Sequence, residues 1–253
     1  MPRYHLKKDP IDQRDKLFSF NLVVNPHATV KLPRIVDLRS KMPPVYDQGE
    51  LGSCTANAGC AYWSYIFPVK GLQPSRLCLY EEERILEGTV NEDAGASMRD
   101  IGRALSKFGV CDESLFPYVV SDFCKPMTPV AVNDALKNKI RTYSAISSLT
   151  DIKNCLALSQ KPVLIGMNIY PSFETLRVSK TGIVPLPSRS ERLLGGHAVL
   201  VVGYNDDVSS PIRGGSLIVR NSWGAGWGDK GYFYLPYSYL SSGYAYDFWT
   251  LSM

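Results

Sequence analysis

Long apolar runs are missing from this 253-residue chain; none approaches the about 18 residues needed to cross a bilayer, so no membrane partner is expected. Concentrated positive charge is missing too. Lys and Arg outnumber Asp and Glu by 28 to 24, a formal net charge of +4, and no basic run extends beyond Lys7-Lys8, which argues against nucleic acid binding. The six cysteines form no C-x-x-C pair, the pattern that zinc or dithiol chemistry would need, and neither a metal nor a cofactor is expected. The first residues carry charge but no apolar core with a small-residue cleavage site behind it, so they do not read as a secretory signal. The expectation is an intracellular, cytoplasmic protein whose cysteines are mostly small buried apolar groups in a reducing compartment. Internal repeats and low-complexity tracts are lacking as well.

What is present suits a soluble globular monomer: 45% of residues are hydrophobic and 21% charged. The length fits one compact unit or two lobes sharing a cleft. Residues 1–31 form a polar leader with Pro and Asn and weak periodicity, and the body begins at Leu32. Ser53 to Phe67 is rich in Ala and aromatics, has no internal proline and stops at Pro68, which predicts a largely buried helix with Cys54 in its first turn. Further helical stretches are expected over Leu77–Glu87 and Ser97–Phe108. Beyond about residue 140 come short β-branched or aromatic runs bounded by Gly, Pro and Asn: 163–169, 197–204, 216–220 and 231–235. The first half therefore reads as helical and the second half as sheet, an α+β chain.

Three residues stand out in that frame. A thiol at the first turn of a helix faces backbone N–H groups that favour an anion, and a neighbouring imidazolium would add to this, lowering a thiol pKa from about 8.5 to roughly 3.5–7.5. Histidine is scarce: His5 and His27 lie in the leader, leaving His197 as the body's one candidate base, set after Gly195-Gly196 where small residues let a backbone or ligand approach. Asn221 stands where a strand meets a glycine-rich turn, and its carboxamide oxygen is suited to accept the second imidazole N–H and fix the tautomer. Gln48, six residues before Cys54, is a candidate oxyanion donor beside the Cys54 N–H, a kind of contribution worth about 2.7–4 kcal/mol of barrier. Thiol, imidazole and carboxamide in this order are the parts of a cysteine peptidase.

From Leu32 onward the chain resembles the papain-like cysteine peptidases. Gln48-Gly49-Glu50-Leu51-Gly52-Ser53-Cys54 matches the family's Q-G-x-x-G-S-C block, Gly196-His197-Ala198-Val199 its G-H-A-V block, and Asn221 to Tyr232 its N-S-W-G-x-x-W-G-x-x-G-Y block. The resemblance implies a two-lobe fold: a helical left lobe over about 44–140 and an antiparallel β-barrel-like right lobe over about 141–253, joined by the stretch before 44. Cys54 resembles the nucleophile, His197 its base and acid, Asn221 the orienting residue, Gln48 the oxyanion donor and Trp223 the indole that covers the His–Asn bond. Gly95 resembles the edge that pairs with substrate as an extra strand, and Ser97, Met98, Gly195 and Ala198 would lie near the main specificity pocket. If Asp247 reached the floor of that pocket it would favour basic side chains. Leu51 stands where the family usually has a disulfide-forming cysteine and Thr55 where it has an aromatic residue. The loss of that bridge fits a reducing compartment, and the run Asp93-Ala94-Gly95 followed by Arg99-Asp100 and Gly109-Val110-Cys111 resembles the intracellular bacterial and large-virus members.

The function this implies is hydrolysis of peptide bonds in peptides or proteins through a thioester acyl-enzyme. An acyl-transferase or deamidase of the same fold and a non-catalytic binding scaffold are the alternatives. The leader lacks room for the longer inhibitory segment of family proenzymes, yet at about 3.3 Å per residue it is long enough to span a cleft. It is expected to be a short propeptide of a zymogen, or a strap.

Overall fold

A computed structural model of the chain describes residues 4–18, 31–68, 71–207 and 210–253. The first half, after the short strand β1 (Ile35–Asp37), carries the helices α1 (Cys54–Ile66), α2 (Arg76–Glu87), α3 (Met98–Lys107) and α4 (Pro129–Ala135). The second half carries the strands β2 (Thr142–Ile146), β3 (Val163–Ile169), β4 (Gly195–Asn205), β5 (Ser216–Arg220), β6 (Tyr232–Pro236) and β7 (Ala245–Ser252). Three helices are interleaved with them: α5 (Leu149–Ala157), α6 (Leu176–Thr181) and α7 (Ser238–Ser241).

The helix α1 is the axis of the first half. Cys54 to Trp63 are all buried, because Ala56, Ala58, Gly59, Cys60 and Ala61 add so little bulk that neighbours close on every side. A Cβ added at Gly59 would stand 2.7 Å from Cγ2 of Ile101 and 2.8 Å from Cδ2 of Leu79, so α2 and α3 pack on α1 at near-backbone distance. Pro68, two residues beyond, keeps the helix from continuing. The capping of α2 is local: Ser75 Oγ accepts the Cys78 N–H, and Gly88 takes the left-handed conformation (φ 73°) after the last turn.

The sheet runs in the order β2-β7-β3-β4-β5-β6, with β1 also paired to β4, and every pairing is antiparallel. Among the described residues the path from β2 to β6 does not close, so the expected barrel-like lobe is an open sheet. The register of β3 on β4 sets Met167 opposite His197 and Gly166 opposite Ala198. The chain around Tyr46 to Gln48 ties the helices to this sheet: the Gln48 N–H donates to Ser222 O (2.9 Å) and the Gly224 N–H to Tyr46 O (2.9 Å). A cleft is left where the N-terminus of α1 meets the start of β4.

The leader crosses that cleft. The Leu6 N–H donates to Gly196 O and the Lys7 N–H to Ala96 O (3.2 Å each), in parallel bridges with the sheet on one side and the helical wall on the other. Asp9 then accepts the Arg99 N–H (3.0 Å) and the Trp249 indole N–H (2.8 Å), and Arg99 grips Asp15 through two bonds of 2.9 and 2.7 Å. Phe18 and Lys16 pair with Ala145 of β2. The expected leader boundary at 31 and its residues 19–30 lie at or outside the edge of the described residues.

The reading of the second half as sheet alone needs correcting. The helix α5 is capped by Ser148, whose Oγ accepts the Asp151 N–H, and it buries Ile152, Cys155 and Leu156 at helical spacing. Strands β2 and β7 carry weak sequence signals. The strand β2 is half-buried along most of its length, and β7 is interrupted by Asp247 in the left-handed region (φ 51°).

Candidate active site

Cys54 is the first residue of α1. Ser53 does not cap the helix with its side chain, because its Oγ is shared with the Tyr118 hydroxyl (2.6 Å) and the Asn57 amide (3.1 Å). The first N–H groups of α1 therefore point into the cleft without an intrahelical partner. The Ala198 N–H lies against the Cys54 sulfur, which puts the thiol beside the strand residue that follows His197.

His197 donates its Nε2–H to Asn221 Oδ1 at 2.9 Å, and the same oxygen accepts the Ser222 N–H at 2.8 Å. Two donors on one atom identify it as the carboxamide oxygen and fix the neutral imidazole with its proton on Nε2. Nδ1 is left as a lone pair with no hydrogen-bond partner among the described residues. Trp223 stacks over the imidazole, with ring centres 5.1 Å apart and planes 29° from parallel, and is itself wedged by Phe173 and Trp227. Gln48 is buried; its Nε2 donates to Leu51 O (2.9 Å) and its Oε1 accepts the Ser222 hydroxyl (2.6 Å). The second Nε2 proton remains for an acceptor in the cleft, so Ser222 orients Gln48 while its neighbour orients His197.

The leader changes the electrostatics of this pair. Tyr4 meets His197 edge-on at 6.1 Å and lies 6.1 Å from Trp223, while His5 donates its Nδ1–H to Asp93 O (2.7 Å) in front of Gly52. Burial pushes the Cys54 thiol up to about 12 against the Ala198 N–H, and holds His197 down to about 4 against the Asn221 bond. The expected lowering of the thiol is absent because the covered pair is sealed from water, and desolvation penalises both charged forms. The covered site holds a thiol and a neutral imidazole.

The other expected residues divide. Gly95 faces the leader directly: its φ is 66° and a Cβ there would collide with the His5 carbonyl. Gly196 faces Leu6, whereas Gly195 faces Tyr4, on the imidazole side of the cleft and away from the Leu6 pocket. Ser97 turns its hydroxyl to Asp100 (2.9 Å) and gives its N–H to Glu87 Oε1 (2.9 Å). Met98 and Ala198 are buried against the core. Asp247 does not reach the pocket; its carboxylate accepts the Asp9 N–H (2.8 Å), and Tyr246 takes its place. Leu6 is 8% exposed, with Cδ2 2.9 Å from where a Cβ on Gly166 would stand and Tyr246 2.8 Å from the same point. Gly166 and Tyr246 are thus pocket residues that the sequence reading missed, although a glycine inside the buried run of β3 is a sign of close approach. Thr55, where the family has an aromatic residue, donates its hydroxyl to the fully buried Glu83 at 2.6 Å. The six cysteines are free thiols, and among the described residues no helix is long and apolar enough to cross a membrane.

Comparison with known proteins agrees with this geometry. Residues 32–244 match the family described as papain family cysteine protease. An uncharacterized peptidase C1-like protein, L477, of Acanthamoeba polyphaga mimivirus is 36% identical over 98% of this chain and 85% of its own. The crystal structure of xylellain, a cysteine protease from Xylella fastidiosa, is 36% identical and covers 100% of this chain and 96% of its own with a TM-score of 0.87. The proform of the ragweed pollen cysteine protease Amb a 11 is 25% identical, covers 90% and 67%, and has a TM-score of 0.67. The large-virus and bacterial likeness read from the motifs is borne out. The chain belongs to the papain family of cysteine proteases and is a papain-like cysteine peptidase.

Proposed function

We propose that this chain hydrolyses peptide bonds through Cys54, His197 and Asn221, and that the leader holds it latent. The observation that carries the reading is the bond from His197 Nε2 to Asn221 Oδ1 beneath Trp223. It leaves Nδ1 without a hydrogen-bond partner among the described residues, open to take a proton. Once the leader leaves, water and the α1 terminus favour transfer of the thiol proton to Nδ1. The thiolate then attacks the scissile carbonyl, and the oxyanion meets the Cys54 N–H and the second Gln48 Nε2 proton. The Nδ1–H protonates the leaving amine, which breaks the C–N bond and leaves a thioester. A water that gives its proton to Nδ1 hydrolyses that thioester and regenerates the thiolate.

Chain direction supports latency. Tyr4 lies at His197 and Trp223, where the leaving amine is protonated, and Leu6 and Lys7 lie along Ala96 and Ser97 on the acyl side. The leader thus runs from the leaving side to the acyl side, opposite to a substrate, and offers the sulfur no productively oriented carbonyl. The test is titration with a peptidyl epoxide alongside hydrolysis of a peptide library. One equivalent bound at Cys54, cleavage lost in Cys54→Ala, and hydrolysis outpacing transfer to an added amine are expected. Full cleavage by Cys54→Ala would refute the assignment.

A further inference from the structure

The wall of the cleft beyond Leu6 carries a carboxylate with an unusual placement. Glu87 is the last residue of α2, where the helix dipole disfavours negative charge, and its side chain is only 14% exposed. Its Oε1 is held by the Ser97 N–H at 2.9 Å. Ser97 adjoins Ala96, whose carbonyl accepts the Lys7 N–H. The other oxygen, Oε2, forms an ion pair with Lys7 Nζ. The neighbouring carboxylate, Asp100, takes Ser97 Oγ (2.9 Å) and Arg103 (2.6 Å) and adds like charge beside Glu87, while Lys7 supplies the opposite charge. A half-buried carboxylate gains from a cationic partner, and when the leader departs Lys7 leaves with it.

We infer that Glu87 is a specificity determinant for a basic side chain on the substrate residue one step farther from the scissile bond than the residue filling the Leu6 pocket. This rests on the peptidase reading of the same cleft. The backbone edge that binds the leader at Ala96 sets the residue beside it at the spacing of Lys7, whichever way the chain runs, because side chains of an extended strand alternate faces at fixed rise. Substrate supplies the cation that Lys7 supplies in the covered protein. The preferred sequence is therefore apolar at the Leu6 pocket and Lys or Arg next to it, and Glu87 binds its ammonium or guanidinium through one oriented oxygen.

The test uses the full-length chain and a series of peptidyl epoxides with leucine at the pocket position and lysine, arginine, norleucine or glutamate at the next. Cys54 labelling is followed by intact mass, and the matching peptides are assayed for cleavage. Leader docking slows every member alike, so the ratio between members reads the subsite alone. Lysine is expected to label about tenfold faster than norleucine, with glutamate slowest. Glu87→Gln, which keeps an acceptor for the Ser97 N–H, should bring lysine and norleucine to within about twofold. Equal rates for lysine and norleucine in the unaltered protein, or a lysine preference that survives Glu87→Gln, would overturn the inference. Labelling that follows the predicted order without cleavage of the peptides would uphold the subsite and refute the peptidase reading instead.

Discussion

Leu6→Ala is the sharpest probe of the covered cleft. Leu6 is only 8% exposed, seated against Gly166 and Gly196, and the substitution deletes its three outer carbons from that seat. At about 0.8 kcal/mol per buried carbon the leader loses about 2.4 kcal/mol of docking, close to a 50-fold rise in the open fraction. The polar contacts on either side are not involved: the bonds of Leu6 to Gly196 and of Lys7 to Ala96 are backbone bonds and survive the change. The assay is alkylation by iodoacetamide at neutral pH, mapped by mass spectrometry. Cys124 is exposed and serves as an internal standard in the same molecule, while the other four thiols are buried. With the Cys54 thiol pushed up to about 12 under the leader, Cys54 should react more slowly than Cys124 in the unaltered protein. In Leu6→Ala the ratio of Cys54 to Cys124 modification should rise by about 50-fold. Equal ratios in the two proteins, or a Cys54 that already outpaces Cys124 before substitution, would refute the argument that the leader seals the site.

Gln48→Ala should lower kcat by about 10²–10³ with little change in KM, since the oxyanion exists only in the transition state; a drop confined to KM would remove Gln48 from that role. Glu83→Gln tests the buried carboxyl behind Cys54. Burial raises its folded pKa well above the ordinary range, so the folded protein loses stability as pH rises from about 4.3 toward the raised value, while the variant lacks that loss. Thermal unfolding at pH 5 and pH 8 should show the variant gaining on the parent as pH rises, and an unchanged difference would mean that Glu83 titrates normally. Gly166→Val should fill the Leu6 pocket, because even its Cβ would stand 2.8–2.9 Å from Tyr246 and Leu6; cleavage of peptides with a small residue in that pocket should persist while that of peptides with leucine there falls at least about tenfold in kcat/KM.

Much of this was legible in the residues. Cys54, His197 and Asn221 declared themselves through their settings: a helix start, a glycine-flanked strand start and a strand end. Those settings are local, so sequence carries them. The state of the thiol was not legible, since it depends on Tyr4 and His5 lying across a site that is distant along the chain. The pocket was legible only in part. Tyr246 and Asp247 are adjacent, and which one faces Leu6 turns on the left-handed backbone at Asp247, a conformation an aspartate rarely announces. The ion pair of Lys7 with Glu87 joins the leader to a helix end, and no periodicity in either segment reports it.

The clamps of the leader along Asp9 and Asp15 frame a stretch in which Ile11 is fully exposed. The covering segment is thus a tethered ligand, held near its site at an effective concentration on the order of millimolar by the chain itself. One cut at that exposed loop would leave Tyr4, Leu6 and Lys7 with the same contacts but dilute them to the concentration of the protein. At micromolar protein, that is a fall of about a thousandfold in the bound-to-free ratio without any change in the lock. In the proposed reading, latency is a property of connectivity, and activation needs a single broken peptide bond.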